Sequence, residues 1–150
     1  MNKLEVIWKS IWWMFNNSFK VQEKTANPIV ILLPDGRKIE TCENLRLKCR
    51  GATFEIPKGF TCDGASIPKA LWWLCGSPFT GKYRVAALFH DAAYAGSLEM
   101  VDVPHLKLTR LDADLLFLAV MRAYGCNPVR ACVKYLAVRL FGGGHFNNGG

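Results

Sequence analysis

His90 and Asp91 stand in the middle of an apolar helical run, Ala86-Ala87-Leu88-Phe89-His90-Asp91-Ala92-Ala93-Tyr94, and Tyr94 follows His90 by one turn, so the two share a face. Burying an unpartnered imidazole or carboxylate is unfavourable by several kcal/mol, so the rest of the fold must supply partners. Asp114 is the natural one. It lines up with Phe117 and Met121, with Leu118 alongside, so it too emerges on an apolar helix face. A His held by an Asp from a neighbouring helix has its tautomer fixed and its basicity raised, which is what a general base acting on water needs. Asp91 points about 100° further round the helix and is placed to hold a cation together with loop carbonyl oxygens. Arg110, four residues before Asp114, is the competing ion-pair partner. The same residues also suit a purely structural polar network between two helices, and both alternatives stay open at the level of residues.

The second unusual segment is Phe60-Thr61-Cys62-Asp63-Gly64-Ala65-Ser66-Ile67-Pro68. Asp63-Gly64 predicts a tight turn, with the Asp63 side chain either bonding local backbone or aimed at the His90 site. Ser66 caps a helix with Pro68 in its first turn, which outweighs a nucleophile because no G-x-S-x-G elbow surrounds it. The cysteines at 42, 49, 62, 75, 126 and 132 form no C-x-x-C pair and none adjoins a His, so they read as reduced, buried thiols, not zinc ligands or disulfides. No His precedes position 90, as the metal phosphohydrolases named for a His-Asp pair would require. His105 and His145 read as solvated. No Gly-rich loop opens a helix to cradle phosphate.

The elements that must position these groups follow from pattern. Residues 1–24 form an amphipathic helical segment with Leu4, Trp8, Ile11, Trp12 and Phe15 at helical spacing; Lys9 and the lack of a cleavage site argue against a secretory signal. Trp8, Trp12 and Trp13 make it a contact element for its own domain, a membrane interface or a partner. Residues 29–42 read as a hairpin around Pro34-Asp35-Gly36, and Leu45 to Ile56 continues a small antiparallel meander. Four helices follow: Ser66 to Cys75, Lys82 to Tyr94, Thr109 to Tyr124, and Asn127 to Phe141. A loop spans Gly96 to Pro104. The fold class is therefore α+β, with one domain over residues 28–142 and a loose Gly/Asn tail over 143–150.

At 150 residues, 51% hydrophobic and 21% charged, the chain is one compact domain; collagen, coiled-coil, repeat and polytopic membrane classes are excluded. A net charge of +7 favours an anionic partner. The basic strand face of Arg37, Lys38, Arg46, Lys48 and Arg50 lacks interleaved aromatics, which disfavours nucleic acid.

Phe60 to Pro68, the following Trp and G-x-P loop, the His90-Asp91-x-x-Tyr94 run, a downstream D-x-x-F-x-x-x-M and a final A-V-R-L-F-G together resemble a family of short phage and prophage proteins of unknown function, over about residues 53–142. That resemblance implies a viral setting, in the host cytoplasm or virion. More distantly, His90, Asp91 and Tyr94 on one helix with Asp114 on the next are similar to the secreted calcium-dependent phospholipases of the His-Asp type. This second resemblance implies that His90 activates water, Asp91 binds calcium, and Asp114 and Tyr94 hold His90. Alanines stand at 86, 87 and 93 where the animal enzymes carry cysteines, and Cys75 to Gly81 matches their Gly-rich calcium loop only loosely.

The expected function is a phage-encoded, hydrolase-like protein acting on an ester of lipid or cell envelope, with peripheral membrane association. The alternative is a non-enzymatic virion or host-interaction protein, in contact with other virion proteins, whose His90, Asp91 and Asp114 are structural.

Overall fold

The computed structural model describes residues 21–25, 29–36, 38–49, 52–62, 83–101 and 108–146. They form seven short strands, β1 (Val21–Lys24), β2 (Val30–Leu32), β3 (Ile39–Thr41), β4 (Leu45–Cys49), β5 (Ala52–Ile56), β6 (Thr61–Cys62) and β7 (Glu99–Met100). Three helices, α1 (Tyr83–Ala95), α2 (Arg110–Ala123) and α3 (Pro128–Phe141), and a 3-10 turn at Gly142–His145 complete them. The mixed α+β class stands. Among the described residues there are three helices, not the four expected after the sheet; the fourth, Ser66 to Cys75, lies outside the described residues, as do 1–20 with Trp8, Trp12 and Trp13.

The strands depart from a single meander. They make two antiparallel sheets, ordered β1-β4-β5-β7 and β2-β3-β6. The β4–β5 hairpin forms as its alternation dictates, with Leu45, Leu47 and Cys49 buried and Arg46 exposed, in the register Leu45↔Ile56 to Cys49↔Ala52. Thr41 divides the sheets. Its buried hydroxyl donates to the Pro57 carbonyl at 2.9 Å and accepts from the Phe60 amide at 3.0 Å, which folds the 57–60 turn back so that β6, not β4, takes the free edge of β3. Gly59, at φ 88°, supplies the left-handed residue that this turn needs.

Two segments change class. Val21–Lys24, at the end of the segment expected to be helical, forms the edge strand β1 against β4. Glu99–Met100, expected within a loop, pairs with β5 as Phe54↔Met100. Such short strands carry too little alternation to signal themselves, and only the edges left open by β4 and β5 select them.

The helices agree with their caps. Thr109 and Asp112 form a reciprocal capping box at the start of α2, while Asn127 caps α3 with Pro128 in its first turn. Contacts run antiparallel between α1 and α2, Tyr94 meeting Arg110 and His90 meeting Phe117. Beyond α3 the chain winds a 3-10 turn over Gly142–His145, and the Phe146 ring meets the Tyr94 ring edge-on at 5.3 Å. No helix among the described residues is long and apolar enough to cross a membrane.

Candidate active site

The helix faces bring His90 and Asp114 together as their spacing predicts. His90 Nε2 lies 2.7 Å from Asp114 Oδ1, and the Tyr94 hydroxyl donates to the same oxygen at 2.5 Å. The other carboxylate oxygen, Oδ2, accepts from Arg139 Nη1 at 2.6 Å. Asp114 is fully buried and His90 is 1% exposed. Burial by itself raises the Asp114 pKa, but the bonds from His90, Tyr94 and Arg139 outweigh it and the carboxyl is held below its ordinary value. An ionised carboxylate accepts only, so His90 Nε2 carries the proton and Nδ1 is the acceptor in the neutral ring.

Nδ1 faces Asp91, whose Oδ1 is 3.9 Å away, too far for a direct hydrogen bond. The Asp91 side chain is 15% exposed and forms the outer edge of the cluster. The rings of Tyr94 and Phe117 flank the imidazole with centroids at 4.1 and 4.7 Å. Tyr94 is pushed above the ordinary tyrosine range, chiefly by burial and then by the Asp114 charge.

Arg110 is not the main partner of Asp114. Its Nε is 4.0 Å from Asp114 Oδ2 but donates to the Tyr94 hydroxyl at 3.2 Å, and Nη2 donates to the Val138 and Arg139 carbonyls at 2.7 Å each. It thereby ties the last turn of α3 to the cluster. Arg139 is the cation the sequence reading passed over, although a charge inside Tyr-Leu-Ala-Val-Arg-Leu-Phe poses the same burial problem as His90. Cys62 was also passed over as a neighbour of the site: its buried thiol donates to Asp91 Oδ2 at 2.8 Å, linking β6 to α1.

Asp63, Gly64 and Ser66 lie outside the described residues. Of the cysteines, 49, 62 and 126 are buried as expected while 42 and 132 are half-buried, none of these five is in a disulfide, and Cys75 lies outside the described residues. Calcium takes six to eight oxygen ligands. Among the described residues no three His, Cys, Asp or Glu converge on a metal position, and Asp91 Oδ2 is engaged by a thiol. The loop from Cys75 to Gly81, whose carbonyl oxygens the calcium expectation also calls on, lies outside the described residues.

The family described as "Protein of unknown function (DUF1353)" matches residues 39–138. The chain belongs to the DUF1353 family. The DUF1353 region runs from β3 to Val138 within α3 and includes every member of the cluster except Arg139, and it starts earlier than the stretch expected from motifs. The uncharacterized protein y4jT of Sinorhizobium fredii (strain NBRC 101917 / NGR234) is 33% identical over 92 residues, covering 61% of this chain and 25% of that protein. This chain thus matches about a quarter of that relative's length. No solved structure matches the chain.

Proposed function

We propose that this DUF1353 chain is a phage-encoded hydrolase-like protein in which His90 is the general base for attack of water on an ester of lipid or cell envelope. One observation carries the chemistry: Asp114, clamped by Tyr94 and Arg139, fixes His90 Nε2 as a donor and aims Nδ1 toward the partly exposed Asp91. In the proposed step Nδ1 takes a proton from water as its oxygen bonds the ester carbonyl carbon. The ester C–O bond then breaks and the leaving alkoxide takes that proton back. Asp114 and Tyr94 act as positioning residues, and no step uses a metal. The viral setting rests on the motif resemblance alone.

The burial of His90, at 1% exposure, favours the second reading, in which the cluster fixes the packing of α1, α2 and α3 in a non-enzymatic virion or host-interaction protein. Nucleic acid is the least favoured partner: on the basic strand face Arg46 bonds Glu55 at 3.2 Å across the strands.

The deciding experiment measures ester hydrolysis, with a chromogenic soluble ester and with phosphatidylglycerol vesicles, for wild type and His90→Gln. The hydrolase reading expects turnover that falls by about 100-fold or more in the variant. Absence of wild-type turnover, with His90→Gln merely less stable, assigns the cluster to structure.

A further inference from the structure

Helix α3 buries Ala131, Tyr135, Ala137 and Val138 and still keeps apolar residues on its outer side. Two of its three charged residues point inward, Lys134 being fully buried with Nζ 4.0 Å from the Tyr83 ring centroid and Arg139 bonded to Asp114. Its outward side carries Val129, Val133, Leu136 and Leu140 at spacings of four, three and four on a helix about 21 Å long, exposed at both ends while Val133 and Leu136 also pack against the core. Val129 is 70%, Leu140 49% and Phe141 55% exposed, and Val133 and Leu136 are half-buried. A surface like this on a soluble chain marks a contact face.

Charge selects what it contacts. No Asp or Glu follows position 114, while Arg122, Arg130, Lys134 and Arg139 do. Arg84, Arg122 and Arg130 are exposed and lie at or beside the N-terminal end of α3: the Arg130 charge acts on the Tyr83 phenol, Arg84 is next to Tyr83 in the chain, and Arg122 Nη1 donates to the Cys126 carbonyl at 2.7 Å. A second copy packed on this stripe would set these arginines against its own, and α3 carries no acid to meet them. An anionic bilayer offers apolar depth for the stripe and phosphates for the guanidinium groups.

We infer that the outward face of α3 is a membrane-docking surface, with Val129, Leu140 and Phe141 entering the interface of an anionic bilayer and Arg84, Arg122 and Arg130 on its headgroups. The inference rests on the lipid side of the proposed function and is independent of hydrolysis.

Its test is co-sedimentation of the full chain with vesicles of phosphatidylcholine and phosphatidylglycerol in equal amounts, against phosphatidylcholine alone, with oligomeric state read by light scattering and folding by thermal melts. The double variant Val129→Ser/Leu140→Ser changes exposed side chains and leaves the His90 cluster intact. Expected are binding that requires phosphatidylglycerol, an affinity at least about tenfold weaker in the variant, and an unchanged melt. A soluble ester, turned over equally by both proteins, separates docking from chemistry: its absence of turnover counts against the hydrolase and leaves vesicle binding to be judged alone. Wild type that stays in the supernatant, a variant that binds like wild type, or a wild-type dimer that the two substitutions dissociate would each overturn the inference.

Discussion

Arg139 of α3 and Asp114 of α2 meet at 2.6 Å in the interior, the arginine side chain 13% exposed and the carboxylate fully buried. The sequence separates them by 25 positions, yet this bond holds the acid that orients His90. Arg139→Leu leaves a buried carboxylate short of its cation and is expected to lower unfolding free energy by about 3–5 kcal/mol. Chemical denaturation of both proteins measures it; a loss below about 1 kcal/mol would mean that Arg110 replaces Arg139.

Tyr94→Phe keeps the ring against His90 and Phe146 but removes the hydroxyl shared by Asp114 and Arg110. A hydrogen bond to a charged group contributes about 1.5–3 kcal/mol, and a loss of that size is expected. In the wild type Tyr94 and Tyr124 should stay protonated through the ordinary tyrosine range, Tyr124 being pushed up to about 12 by burial. Ultraviolet titration of the folded protein checks both.

Asp114 also sets a direction for acid stability. Its carboxyl is held below the ordinary 3.8 in the fold, so the unfolded chain binds its proton first as pH falls. The stability it contributes is complete above the unfolded value and lost as pH drops through the depressed folded one. Asp114→Asn should therefore be less stable than wild type at neutral pH, with the gap narrowing below about pH 4. Denaturation series at several pH values test this; a gap that widens in acid contradicts the assignment.

Gly125 ends α2 at φ 83°, its amide bonded to the Arg122 carbonyl while the Cys126 amide reaches Met121. A side chain there is strained in the left-handed region, and Gly125→Ala is expected to cost about 1–2 kcal/mol in a thermal melt. Gly125→Asn should cost less, because Asn tolerates that conformation.

Local sequence was enough for three helices, the Asn127-Pro128 start of α3, the β2–β3 and β4–β5 hairpins, and the meeting of His90 with Asp114. Each depends on period, cap chemistry or a polar group stranded on an apolar face, all visible within a few turns of chain. Tertiary structure decided the rest. Thr41 splits the strands into two sheets because its hydroxyl finds Pro57 and Phe60, and β1 and β7 exist because neighbouring strands present open edges. Arg139 rather than Arg110 takes Asp114, since only helix packing sets which guanidinium reaches a carboxylate first. Burial of His90 and the outward turn of α3's apolar stripe are likewise decided by packing, because periodicity shows that a helix has two faces but not which one the domain covers.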